Sequence, residues 1–292
     1  MKILVSYRGI PQSHGWATGD MVLKAFKDMG HEAYPYGNYY QRPDRLGGLT
    51  IRDTVSHDYD LYLQMECGDG DPFYSEVTKY IRTRKVASWW FDVALYPQKW
   101  LSETAYIKPD INFVANVNFL DKNTNCIYLP YAACNSNHFR EIVEKDKDID
   151  FLIIGSDRPE RRRLFEILRQ AVPCARVEYV TNSFRYEYIY ALSRSKFVIN
   201  DIAGGGSGLL PMRPFETIAA GSNLITPKDD GCKKLGIPCI EYTDEADLLR
   251  ICTALNLTSN FSNPALQKEF MRHNTYNSRC QTILDTIFNE RI

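Results

Sequence analysis

Short apolar runs and helix-length segments alternate along this chain, and the alternation occurs twice. No other feature restricts the possible architecture as much. KILVSY (2–7) reads as a first strand, WATGDMVLKAFKDMG (16–30) as a helix stopped by glycine, and HEAYPY (31–36) as a second strand. YDLYLQM (59–65), KVASWW (85–90) and INFVANV (111–117) are further strands, with a helix over PFYSEVTKYIRTR (72–84). NCIYLPYAACNSNHFREIVEKDKDID (125–150) breaks the rhythm with proline, several asparagines and a charged run, and reads as a boundary. The rhythm then restarts. DFLIIG (150–155), ARVEYV (175–180), KFVIND (196–201), SNLIT (222–226) and IPCIEY (237–242) are strands. PERRRLFEILRQA (159–171) and SFRYEYIYALSRS (183–195) are helices between them, the first with proline at its opening position. KDDGCKKLG forms a short helix, DEADLLRICTAL (244–255) opens on acidic residues as a helix does, and 263–292 is helical to the end. This is the βαβ order of parallel sheets covered by helices, an α/β chain of two successive Rossmann-like halves over 1–135 and 149–275.

Charge and cysteine usage exclude several functions. The 292 residues carry a net charge of -1, so the chain is no general polyanion binder. No apolar run approaches the length of a membrane span and KILVSY is too short for a signal peptide, which predicts a cytoplasmic protein. The eight cysteines include no CxxC pair and the five histidines do not cluster, which predicts free thiols and no metal site. Asp69, Gly70 and Asp71 could hold a divalent cation, but they lie in the first half and equally suit the cap of a helix starting at Pro72. Aromatics make up 13% with 19 tyrosines, more than a core alone takes, so some should line a cleft or interface.

One segment carries the chemistry. GGGSGLLPMRPFETIAAG, from Gly204 to Gly221, follows the strand KFVIND and opens a helix. Ligands of open α/β sheets bind beyond the carboxyl ends of strands. Gly205, Gly206 and Ser207 would frame a phosphate pocket with bare backbone N–H groups, aided by the helix N-terminus. Arg213 offers a forked, permanent cation to a diphosphate, and Glu216, one turn on, can accept the two hydroxyls of a ribose. The unit is neither a P-loop, since no Gly-Lys-Ser/Thr follows, nor a first-strand GxGxxG.

RPFETIAAG followed by SNLIT resembles the R-x-F-E-x-x-A-x-G segment of the CgeB-type (spore-maturation) glycosyltransferases, part of the GT-B group of nucleotide-sugar enzymes. FDVALYPQKW, NCIYLPYAACNSNHFR, DFLIIGSDRPERRRLFEIL and HNTYNSRCQTILD are similar to further family segments in the same order, covering most of Phe91 to Asp285. The first ~90 residues match only in pattern, as a variable acceptor domain would. The resemblance implies a GT-B fold: two facing Rossmann-like domains, an interdomain cleft, and a C-terminal crossover helix (276–292) packing back on the first. It implies a nucleotide-sugar donor in the second domain, with UDP as the expected nucleotide, and catalysis with no metal. Gly155, Ser156 and Arg161 match the family's strand end and P-E-R arginine and would join Arg213 and Glu216 at the donor. Gly208 stands eight residues before Glu216, where the wider retaining pattern E-x7-E has glutamate, so stereochemistry and sugar stay open.

The expected reaction is transfer of a hexosyl or pentosyl group to a hydroxyl, with Arg213 and the glycine-loop amides stabilising the departing diphosphate. In an inverting reaction His14 or Asp20, on the loop and helix after strand one, could deprotonate the acceptor. Asp20 could equally serve the first helix, and His14 could be an ordinary loop residue. The acceptor is a small molecule, a protein or a DNA base. A phage-type enzyme acting on a modified DNA base would use a basic strip such as Arg42, Arg45, Arg52, Arg82, Arg84 and Lys85. A GT-B-like epimerase and a non-catalytic nucleotide-sugar-binding partner subunit are the other readings; oligomeric state is left open.

Overall fold

Parallel strands buried on both faces read as near-continuous apolar runs, and the chain has two sets of them. In the computed structural model the described residues are 1–7, 17–36, 58–65, 81–91, 97–122, 126–134, 138–139, 147–201, 208, 210–255 and 264–288. The chain divides into two compact units, Met1–Tyr131 with Tyr276–Ile292, and Ala132–Thr275.

The first unit holds β1 (Lys2–Ser6), β2 (Glu32–Tyr36), β3 (Asp58–Met65), β4 (Arg82–Trp90), β5 (Ile111–Val114) and β6 (Cys126–Tyr128) in the order β2-β1-β3-β4-β5-β6. Every pairing is parallel. The order reverses at β1, which lies between β2 and β3. Helix α1 (Thr18–Asp28) begins where the Asp20 carboxylate turns back to accept the Ala17 amide at 3.2 Å. Helix α2 (Pro97–Ile107) follows β4. Leu4, Tyr36, Tyr59, Tyr62, Ile81 and Ile107 form one cluster of this unit's core.

The second unit holds β7 (Ile149–Gly155), β8 (Val177–Thr181), β9 (Ser195–Ile199), β10 (Asn223–Pro227) and β11 (Cys239–Tyr242) in the order β11-β10-β9-β7-β8, again all parallel. Its helices are α3 (Pro159–Ala171), α4 (Arg185–Ser193), α5 (Met212–Ala219), α6 (Asp230–Leu235), α7 (Glu245–Ala254) and α8 (Pro264–His273). Phe151, Ile153, Phe197, Ile199 and Ile225 pack with Leu168 and Leu248 from the covering helices. Burying each such side chain is worth roughly 1.5–3 kcal/mol. Chain order reverses between β7 and β9, so the carboxyl ends of these two strands mark a ligand crevice.

The structure differs from the sequence expectations in five places. Arg82 to Arg84 extend β4 rather than a helix, because Arg82 pairs with Asp58 of β3. The strand expected over 111–117 stops at Val114. The Asn116 side chain accepts the Asn118 and Phe119 amides and turns the chain into a 3-10 segment, Val117–Lys122. Helix α2 and strand β6 were not anticipated. The final helix is two: α8 ends at His273, and α9 (Tyr276–Phe288) belongs to the first unit. Between them the Asn274 side chain caps the Phe270 carbonyl, and Thr275 bridges to Ala133.

Helix α9 lies against α1, where the Cys280 thiol faces the Val22 carbonyl, and the Tyr276 ring meets Trp89 edge-on. Among the described residues all seven cysteines are free thiols. Among the same residues no helix is long and apolar enough to cross a membrane.

Candidate functional site

The carboxyl end of β7 is Gly155, with φ at 143°. A Cβ there would sit 2.6 Å from both the Arg161 and the Arg213 guanidinium nitrogens. Glycine is therefore demanded twice, by the backbone angle and by two cations crowding the strand end. Arg161 comes from the first turn of α3, whose start is set by Pro159. Arg213 comes from the first turn of α5. Asp201, just past β9, lies between them.

Arg161 Nε lies 2.8 Å from each Asp201 oxygen, and its Nη1 donates to the Ser156 carbonyl at 2.7 Å and hydroxyl at 3.0 Å. Arg213 Nη1 donates to Asp201 Oδ1 at 3.1 Å and Asn200 Oδ1 at 3.0 Å. Asn200 is itself fixed, with its amide on Thr226 and its carbonyl receiving the Tyr242 hydroxyl. Burial pushes the Tyr242 hydroxyl well above the usual phenol range, so it stays a donor. The site thus has two nearly buried guanidinium groups around the Asp201 carboxylate, with the Glu216 carboxylate one turn further along α5. Arg213 Nε is buried and has no hydrogen-bond partner among the described residues. An orphaned donor of this kind is costly unless a ligand meets it.

Glu216 is buried one turn after Arg213. Its Oε2 accepts the Tyr188 hydroxyl at 2.7 Å, and its Oε1 is 3.5 Å from His138 Nε2. Gly208, with φ at 86°, gives its amide to Asp229 at 3.0 Å, and the same carboxylate caps α6 through Gly231. The end of the glycine-rich segment is therefore tied to a helix cap.

Gly155, Ser156, Arg161 and Arg213 meet at one point, with Glu216 on the same α5 turn. Gly205, Gly206, Ser207, His14, Asp69 and Asp71 lie outside the described residues. Asp20 accepts the Tyr7 hydroxyl at 2.5 Å as well as the Ala17 amide. Arg162 pairs with Asp157 and Arg163 with Glu245 at the surface. Asp201, Asn200, Tyr188 and His138 were missed as site residues. Asp201 and Asn200 carry a positional signal, since they follow a strand directly before the glycine-rich segment. His138 lies in the segment NCIYLPYAACNSNHFR, and Tyr188 carries no such signal. Beyond β8, Asn182 and Arg185 have φ of 52° and 58°, a conformation non-glycine residues rarely keep without cause. Among the described residues no three His, Cys, Asp or Glu side chains gather as a cation would need.

No protein-family model matches the sequence. No curated protein matches it either. Solved structures do. An alpha-glucosyltransferase in complex with UDP and a 13-mer DNA containing a central A:G mismatch superposes with a TM-score of 0.63 at 13% identity, covering 98% of this chain and 99% of that one. AviGT4, a glycosyltransferase involved in avilamycin A biosynthesis, gives 0.61 at 11% identity, over 97% and 96%. A putative UDP-N-acetylglucosamine 2-epimerase from Listeria monocytogenes gives 0.51 at 14% identity, over 97% and 94%. At these identities the likeness is one of fold: the chain has the α/β, two-Rossmann-unit fold class of GT-B glycosyltransferases.

Proposed function

We propose that this protein is a glycosyltransferase that moves a hexosyl or pentosyl group from a nucleoside-diphosphate sugar, UDP-linked, to an acceptor hydroxyl. The observation that carries the reading is the pair Arg161 and Arg213. They converge on the carboxyl ends of β7 and β9 and share one carboxylate, and Arg213 Nε has no hydrogen-bond partner among the described residues. A diphosphate offers forked, anionic acceptors that both guanidinium groups can meet. As the sugar–phosphate bond breaks, charge grows on the departing diphosphate and the two preorganised guanidinium groups stabilise it. Arginines can do this without a cation, so the reaction is proposed to be metal-independent. Within the GT-B class, the resemblance of the collinear motifs supports the CgeB type as the proposed family. The first unit is proposed to hold the acceptor. If the reaction inverts, His14 or Asp20 is the base; Asp20→Asn would then reduce turnover with little effect on donor binding.

The fold neighbours include glycosyltransferases and a putative epimerase. Against an epimerase, His138 Nδ1 already accepts the Cys134 amide, which occupies the nitrogen that a base would use. A DNA-base acceptor is the second reading, favoured by the neighbour whose structure holds UDP and DNA. Of its basic strip, Arg82, Arg84 and Lys85 lie in the first half of β4, away from the carboxyl ends, and Arg84 stacks over Phe288. The test is UDP release from UDP-sugars offered with small-molecule, protein and hydroxylated-base DNA acceptors, beside salt-dependent DNA retention. Acceptor-dependent release supports a transferase and identifies the acceptor class. Sugar isomerisation without any acceptor would favour the epimerase.

A further inference from the structure

The Glu216 carboxylate is approached by two residues, Tyr188 and His138. Tyr188, on α4, donates to Oε2 at 2.7 Å. Its hydroxyl holds its proton, because burial first and then the Glu216 charge raise its pKa well above the ordinary value. The Arg213 guanidinium adjoins the same hydroxyl. On the other oxygen stands His138, fully buried, with Nε2 3.5 Å from Oε1. Its Nδ1 accepts the Cys134 amide at 3.1 Å, so the neutral ring carries its proton on Nε2, toward Glu216. A carboxylate offers about four lone-pair directions. The Tyr188 hydroxyl takes one on Oε2, and His138 Nε2 approaches Oε1 without a hydrogen bond, so the others stay available to the two neighbouring hydroxyls of a ribose.

We propose that Tyr188 is a positioning residue of the nucleotide site, with His138 behind it. Its hydroxyl sets the Glu216 carboxylate to receive both hydroxyls of a ribose and ties that carboxylate to Arg213. The site then selects ribonucleoside diphosphates over their 2′-deoxy forms. This rests on the nucleoside-diphosphate reading above. A merely structural tyrosine would, on removal of its hydroxyl, weaken all ligands alike or none. A positioning tyrosine affects only those that carry a ribose.

The experiment is calorimetric titration of the full chain, wild type and Tyr188→Phe, with UDP, 2′-deoxy-UDP and inorganic pyrophosphate. Wild type should prefer UDP to 2′-deoxy-UDP by on the order of tenfold. Tyr188→Phe should lose about that factor for UDP, lose the preference, and keep its pyrophosphate affinity within about twofold. A parallel loss for UDP and pyrophosphate overturns the proposal, as does an unchanged ribose preference in the variant. A wild type that binds UDP and 2′-deoxy-UDP equally overturns it while sparing the phosphate reading. A wild type that binds none of the three refutes the nucleotide site itself.

Discussion

At the scale of single residues, the site depends on what Gly155 lacks and on what Asp201 supplies. Gly155→Ala would drive a methyl group into both guanidinium groups at a backbone angle alanine avoids. UDP affinity should fall by more than about tenfold while the fold survives, measured by titration and circular dichroism. Asp201→Asn makes a sharper prediction. Point-charge reasoning expects tighter anion binding once a negative charge is gone. The geometry expects weaker binding, because the carboxylate holds Arg161 through both oxygens and Arg213 through one. Tighter UDP binding in this variant would mean that Asp201 only neutralises. Arg213 and Glu216 stood out in the sequence because they sit in a segment of unusual composition. Asp201 was visible only as the last letter of a strand. Tyr188 was not legible, because its contact with Glu216 depends on how α4 packs on α5, which no local pattern encodes; His138 lay in the segment NCIYLPYAACNSNHFR without a role to mark it.

At the scale of elements, strands were legible from their apolar runs, whereas junctions were not. The end of β5 turns on one Asn116 side chain, and the final helix breaks where Asn274 caps its own turn, details below the resolution of periodicity. Another junction carries a titration. The Lys147 ammonium is enclosed by the Ser195 and Gly221 carbonyls and the Ser222 hydroxyl, where α4 and α5 end. Burial pulls its pKa from the usual 10.5 down to about 7. The unfolded chain then binds more protons between those values, so this group makes stability rise with pH across that window and costs stability below it. Lys147→Met removes the slope. The stability gap between wild type and Lys147→Met, from urea midpoints, should therefore widen in favour of wild type from about pH 7 to 10. A gap constant with pH would mean that the three acceptors keep the ammonium charged throughout.

At the scale of the whole molecule, two parallel sheets follow from two rounds of alternation, and the sequence order makes that plain. What it hides is the return of the chain. Residues after Thr275 belong to the first unit, with α9 against α1 and Arg279 reaching the Pro130 and Tyr131 carbonyls. Burial lowers the Arg279 pKa to about 10. Arg279→Ala should cost about 1–3 kcal/mol of stability, felt as faster proteolysis of the first unit, with UDP affinity unchanged. A variant that loses UDP affinity at full stability would contradict that division of labour.

The central claim is that Arg213 and its neighbours hold a nucleoside diphosphate without a metal. The measurement is calorimetric titration of UDP into wild type and Arg213→Ala, each with and without a chelator. Wild type should bind UDP equally well with and without the chelator, and Arg213→Ala should weaken that binding by about tenfold or more. Equal binding by both proteins, binding that the chelator abolishes, or no binding by wild type would contradict it.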